Sequence, residues 1–256
     1  MEKFLSNLLK GAKDIFFQKH QTLHHKSPND LLSQADLELN EYFVSAIKKE
    51  YPTAKIIAEE SDNDVLTDEL TFVIDPLDGT CNYSMGIPLC GMQIAVLENK
   101  EPILSFIYLP NNDELYMAKK GEGAYLNGQK IVVNKDIKHN DGMLILSDFY
   151  DDEEDIELDN QYKLLEDLRL DFLKTRLFGA SCVDFSYLIS SKAQAYICYY
   201  RHIWDIAPGL LLAKEAGLLV ARLNKKDYQL NDESLVIANN LETLNLILEK
   251  ASKYTK

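Results

Sequence analysis

Two carboxylates spaced three residues apart offer the first chemistry in this sequence. Asp75-Pro76-Leu77-Asp78-Gly79-Thr80-Cys81-Asn82-Tyr83 follows directly on the apolar run Thr71-Phe72-Val73-Ile74. Pro76 fixes φ and removes a donor, and Gly79 permits a left-handed or close-approach backbone, so the segment reads as a turn. Such a turn can hold both carboxylates, a main-chain carbonyl and a hydroxyl around one point. Oxygen donors of that kind suit hard cations. A plain surface turn has the same composition, because Asp, Pro and Gly dominate turns anyway.

Further acidic positions bear on the choice. Asp36, the pair Glu59-Glu60 and Asp205 lie at the starts or ends of other elements. Singly, each has an ordinary reading. Asp36 reads as an exposed helix residue, Glu59 and Glu60 as solvated glutamates, and Asp205 as the N-cap of the helix after it. Together they share a context. Glu59 and Asp75 each follow a β-branched apolar strand, and Asp205 follows Ile203-Trp204 at a strand-to-helix turn. Ligands bind at strand ends in layered α/β folds. Carboxylates gathered there repel one another unless cations neutralise them. Two divalent metals about 4 Å apart form the clamp used in phosphoester hydrolysis. The formal charge of −14 argues against nucleic acid or an anionic membrane as the main partner. Bridging cations let an acidic pocket hold an anionic substrate all the same.

The elements that position these residues follow from hydrophobic periodicity. Phe4, Leu5, Leu8, Leu9, Ala12, Ile15 and Phe16 recur at helical spacing, which predicts one amphipathic core helix over 1–21, too polar for a secretory segment. A second helix is expected after Ser27-Pro28, ending before Tyr51-Pro52. Residues 56–58 and 70–74 read as strands, and 91–133 as an antiparallel run with a tight turn at Asn127-Gly128. Residues 172–178, 195–200, 218–221 and 235–238 also read as strands. Helices are expected over 181–191, 206–216 and 241–252, with Gly217 closing the second of these. The acidic run 148–159 is expected to be a solvated loop between lobes. The 256 residues then form one domain, with an N-terminal α+β lobe over about 1–147 and a C-terminal α/β lobe over about 160–256.

Cys81, Cys90, Cys182 and Cys198 show no paired C-x-x-C spacing, which speaks against a zinc site. Scattered thiols without a signal peptide predict a reducing cytoplasm. Cys81 and Cys182 are expected to be small packing residues. No apolar run approaches the roughly 20 residues of a membrane span.

Several motifs recur here in a known order. Ser33-Gln34-Ala35-Asp36 fits an upstream S/T-x-x-D, Ala58-Glu59-Glu60-Ser61 a glutamate pair, and Asp75 to Tyr83 a D-P-x-D-G-T-x-N-[FY] signature. Gly121 to Gly128 fits a G-x-G-A-[FY]-x-N-G hairpin, and Trp204-Asp205, Ala207 and Glu215-Ala216-Gly217 fit a W-D-x-A…E-A-G segment. In these motifs, over about residues 5–250, the chain closely resembles the inositol monophosphatase family of magnesium-dependent, lithium-sensitive phosphatases. The resemblance implies an α/β (α+β) fold of the sugar-phosphatase type, a layered α-β-α-β-α sandwich that is often a homodimer. It implies Mg2+, two or three ions per site, and inhibition by Li+. One ion falls on Glu59, Asp75 and the Leu77 carbonyl, a second on Asp75, Asp78 and Asp205, and a weaker third near Glu59. A metal-activated water is then the nucleophile, oriented by Thr80 with Asp36, and Glu60 is counted with these two as catalytic. Gly79 and Thr80 are expected to hold phosphate oxygens through main-chain N–H groups.

The substrate follows less directly. The run Gly179-Ala180-Ser181-Cys182 stands where animal inositol-1-phosphatases have G-[ST]-A-A, and makes Ala180 and Ser181 substrate-side residues. Counting back from Trp204-Asp205, the acidic residue that holds an inositol hydroxyl falls at Cys198, whose thiol cannot replace carboxylate hydrogen bonds. Arg201 and His202 are placed to meet a second phosphate. The expected substrate is a small sugar or polyol phosphate resembling inositol 1-phosphate. Fructose 1,6-bisphosphate and adenosine 3′,5′-bisphosphate are the alternatives within the superfamily. A protein that keeps the fold but works by binding a partner is the alternative outside it.

Overall fold

Leu5, Leu8 and Leu9 form the buried stripe of the first helix, α1 (Glu2–Gly11), in a computed structural model that describes residues 1–18, 23–27, 30–61, 65–149, 158–199, 202–224, 227–230 and 232–254. The single helix expected over 1–21 is divided. A second short helix, α2 (Lys13–Phe16), follows across Ala12. Glycine weakens a helix interior, and a Cβ on Gly11 would meet the Tyr42 hydroxyl at 2.6 Å, so the break falls at a close approach. The next helix also differs from expectation. Residues after Thr22 form a hairpin, β1 (Leu23–Ser27) with β2 (Asp30–Ser33), and α3 (Gln34–Glu50) starts only at its Ser33 cap. It ends before Tyr51-Pro52 as the proline requires.

One sheet carries most of the first half of the chain. Its strands in spatial order are β3 (Lys55–Ala58), β4 (Thr71–Asp78), β5 (Gly91–Glu98), β6 (Glu101–Leu109), β7 (Glu114–Lys119), β8 (Gly123–Leu126) and β9 (Gln129–Lys130). β3 and β4 run parallel and the others form an antiparallel meander. The short helix α4 (Thr80–Ser84) lies between β4 and β5 in sequence. The Asn127-Gly128 turn has φ of 49° and 81°, the left-handed pair that a tight hairpin needs.

A second sheet holds β10 (Met143–Leu146), β11 (Lys174–Arg176), β12 (Ala195–Tyr199), β13 (Leu219–Ala221) and β14 (Ser234–Ala238), in the order β11-β10-β12-β14-β13. Its helices are α5 (Leu158–Leu168), α6 (Ser181–Ile189), α7 (Ile203–Glu215) and α8 (Leu241–Ala251). The strand expected over 172–178 is shorter because Phe172 turns instead into the apolar layer beneath α5 and α8. α7 starts three residues before its expected position, at a His202 cap. Residues 150–157 of the acidic run lie outside the described residues. Among the described residues no helix is long and apolar enough to cross a membrane.

Burial assigns the layers. Phe72 and Ile74 of β4 pack with Leu5, Leu39 and Phe43 of α1 and α3. Val73, on the opposite face, meets Ala95 and Ala207 of α7. Between the sheets, Phe185 and Leu210 of α6 and α7 pack with Tyr196 and Ile237 of the second sheet. On the far side α5 and α8 cover Ile197 and Val236. Helices, sheet, helices, sheet and helices stack in turn, the α-β-α-β-α sandwich expected of the sequence.

The segment read as a turn, Asp75 to Asp78, is the end of strand β4. Asp75 pairs with Gln93 and Asp78 with Gly91, so β4 carries one residue more than β5 over this stretch, a β-bulge. The bulge accommodates Pro76, which cannot donate to a ladder. It also changes where side chains point. Residues three apart on a regular strand face opposite ways, but these two share a face because their partners are two apart. Both aspartates therefore join Gln93 on the side facing α6 and α7.

Candidate active site

The bulge delivers two of three carboxylates to one point, and α7 delivers the third. Single ligand oxygens of Asp75, Asp78 and Asp205 lie within 4.8 Å of one another. Asp75 is 1% exposed. Asp205 sits in the first turn of α7 rather than at its cap, because His202 takes the cap position. The Asp205 carboxylate accepts the His202 N–H at 3.1 Å, and the His202 side chain accepts the Asp205 N–H in return. The His202 ring stacks on Trp204 with centroids 4.6 Å apart.

Burial holds the Asp75 carboxyl well above the ordinary carboxylate range. Glu59, Asp78 and Asp205 push it further in the same direction, and the Gln93 amide pulls the other way. Glu59 thus acts on Asp75 through its charge, while the oxygens within 4.8 Å of one another are those of the three aspartates. Against these neighbours Asp75 has two hydrogen bonds: Leu77 N–H to Oδ1 at 3.1 Å and Gln93 Nε2 to Oδ2 at 3.3 Å. An all-oxygen set of mutually repelling carboxylates, Asp75 and Asp78 buried and Asp205 half-buried, fits a magnesium-type cation, which takes oxygen ligands and removes the repulsion. The Leu77 carbonyl, in the same bulge, lies 3.1 Å from Thr80 Oγ1.

Thr80 opens α4, directly after Gly79, whose φ is 86°. A Cβ at Gly79 would lie 2.9 Å from the Ala180 Cβ and 3.0 Å from the Leu89 carbonyl oxygen, so both conformation and space require glycine. Thr80 Oγ1 donates to Asp36 Oδ1 at 2.9 Å. The other Asp36 oxygen accepts from Ser33 Oγ at 2.5 Å and Ser33 N at 2.7 Å. Asp36 is 1% exposed and completes a capping box with Ser33, not the exposed helix position its type suggests alone.

The remaining expected residues fall in different places. Glu60 is half-buried and its carbonyl accepts from Asn40 Nδ2 at 2.9 Å. Ala180 caps α6 and packs on Gly79. Ser181, expected on the substrate side, donates to Asp78 Oδ2 at 2.8 Å. Cys198 is 2% exposed on β12 and packs in the apolar layer between the sheets. Arg201 lies outside the described residues. Cys81 is exposed rather than packed. Burial, with Asp78 beside them, pushes the Cys182 thiol up and the Cys90 thiol up to about 12, so neither is a thiolate nucleophile at neutral pH.

Gln93 escaped sequence reasoning. It is fully buried, and its Nε2 reaches Asp75 Oδ2, Asp78 Oδ2 at 3.2 Å and Ser181 Oγ at 2.8 Å. A polar amide inside the otherwise apolar run Met92–Leu97 was the signal, because buried polar groups need partners. Asn82, inside the signature, ties α4 to the loops before β5 and α6 by donating to Leu89 O at 2.8 Å and Phe178 O at 2.7 Å.

Carboxylates clustered at strand ends of a layered α/β fold are the arrangement of metal-using phosphoester hydrolases. The sequence profile of the inositol monophosphatase family matches residues 3–256, and the chain belongs to that family. It is 34% identical over 218 residues to a Nus factor SuhB of Xylella fastidiosa, covering 84% of this chain and 78% of that one. It is 30% identical over 238 residues to a fructose-1,6-bisphosphatase/inositol-1-monophosphatase of Aquifex aeolicus, covering 92% and 87%. Among solved structures, the suhB protein of Bartonella henselae superposes with a TM-score of 0.90 at 23% identity, covering 98% of each chain. An IMPase/NADP phosphatase solved with Mg2+ and phosphate superposes with a TM-score of 0.83 at 23% identity, covering 97% and 94%. These likenesses fix the fold, and the family is one of phosphatases.

Proposed function

We propose that this chain is a magnesium-dependent phosphomonoesterase that hydrolyses a small sugar or polyol phosphate of the inositol 1-phosphate kind. The observation that carries the reading is the packing of Asp75, Asp78 and Asp205 within 4.8 Å, beside the Thr80–Asp36 hydrogen bond. Glu59, Asp75, the Leu77 carbonyl, Asp78 and Asp205 are the residues that would hold magnesium. When bound, magnesium supplies positive charge for the phosphate oxygens and lowers the pKa of water. Thr80, with its hydroxyl proton directed to Asp36 Oδ1, keeps a lone pair on Oγ1 to accept a proton from the attacking water. Asp36, held by Ser33, fixes that direction. Gly79 and Thr80 are assigned the phosphate oxygens through their main-chain N–H groups. Glu60 is assigned a supporting catalytic part beside Glu59, and Ala180 and Arg201 the side of the leaving alcohol, whereas Cys198 is buried in the apolar layer between the sheets. Family membership and the related structure with Mg2+ and phosphate support the choice of ion and chemistry.

Cys198 offers no carboxylate to a polyol hydroxyl. Purified protein with magnesium, assayed on inositol 1-phosphate, fructose 1,6-bisphosphate and adenosine 3′,5′-bisphosphate with and without lithium, tests the reading. It expects lithium-sensitive phosphate release from at least one. A partner-binding role has support from the relative named as a Nus factor, and silence on all three despite metal binding favours that role instead.

A further inference from the structure

The donors around Asp78 are distributed unevenly between its two oxygens. Oδ2 accepts from Ser181 Oγ at 2.8 Å, Gln93 Nε2 at 3.2 Å and the Cys182 N–H. A carboxylate oxygen offers about two lone pairs, so Oδ2 is filled. Oδ1 has no donor among the described residues. Asp75 differs, with one donor on each oxygen and one lone pair left on each. Gln93 is common to both carboxylates, and its own Oε1 is buried with no partner among the described residues. Leaving a buried acceptor unpaired is unfavourable. The opposite amide orientation is worse, because it aims a carbonyl oxygen at two carboxylates.

We infer that Gln93 and Ser181 are positioning residues that saturate Asp78 Oδ2, so that Asp78 offers a cation one oxygen only and the site favours magnesium over calcium. Magnesium demands near-ideal octahedral geometry with single-oxygen ligands, whereas calcium accepts both oxygens of a carboxylate. With the clamp removed, Asp78 can turn both oxygens to the ion and accept the larger one. The inference rests on the metal-site reading above.

Calorimetric titration of metal-free protein with magnesium and, separately, calcium tests it, in the wild type, Ser181→Ala and the double variant Gln93→Met with Ser181→Ala. Metal-free melting temperatures of the same samples check folding. Ser181→Ala alone leaves Gln93 and the Cys182 N–H on the two lone pairs of Oδ2, whereas the double variant leaves the Cys182 N–H there and frees one. Orienting partners of metal ligands are worth about 10- to 100-fold in affinity. The expected result is a magnesium Kd raised about tenfold in the double variant, with the calcium Kd unchanged or lowered, and little change in Ser181→Ala. Both Kd values of the double variant moving by one common factor, or neither moving, overturns the inference while leaving the metal site standing. Wild-type protein that binds neither ion overturns the inference together with the reading on which it rests. Gln93→Leu with Ser181→Ala serves the same comparison if the first double variant does not fold.

Discussion

Asp75 concentrates the electrostatics of the molecule in one side chain. It is buried and faces three other carboxylates, so its folded pKa lies above its unfolded value. A raised folded pKa favours the fold while the carboxyl keeps its proton, below the unfolded pKa. That contribution is lost as pH rises through the folded pKa. Metal binding needs the ionised form and releases the proton. The metal-free protein should therefore lose stability from acid to neutral pH, and magnesium should restore it. Thermal melts with and without magnesium across that range should show a gap that widens as pH rises. A gap independent of pH would mean that Asp75 is not linked to the ion.

At the level of elements, the bulge in β4 and the register of α7 decide where the carboxylates go. The sequence made the acidic positions and the strand before Asp75 legible, and it made α3 legible from Leu39, Phe43 and Ile47. It did not reveal that Asp75 to Asp78 stays in a strand, because proline and glycine there have the composition of a turn. Nor did it reveal the pairing of Asp78 with Gly91, which turns Asp78 to the face of Asp75 and depends on a register shift that no local pattern records. Asp205 looked like a cap because Asp is a good one, and only His202 in that place moves it inward. The α6–α7 crossing is equally demanding. A Cβ on Gly209 would meet the Phe185 ring at 2.1 Å. Gly209→Ala should destabilise the protein by about 1–3 kcal/mol through overpacking, measured by denaturant unfolding. An unchanged midpoint would show that the helices can separate at little cost.

The whole molecule assembles the site from segments distant in sequence. Asp36 comes from α3, Glu59 from the end of β3, Asp75 and Asp78 from β4 and Thr80 from α4, while α6 and α7 from the second half supply Ser181 and Asp205. Glu215, at the far end of α7, accepts the Gly121 and Gly123 N–H groups at 2.7 and 2.8 Å, fastening that helix to the β7–β8 turn. Motif order made this sandwich foreseeable, although helix and strand periodicity alone do not specify topology. Residues 75, 78 and 205, far apart in sequence, come together only in the folded chain. The most direct test is phosphate release from a phosphomonoester as magnesium is titrated, comparing the wild type with Asp75→Asn. We predict saturable, magnesium-dependent turnover in the wild type and its loss in a variant that melts no lower than the wild type without metal. Near-normal turnover by Asp75→Asn at any magnesium concentration would contradict the account.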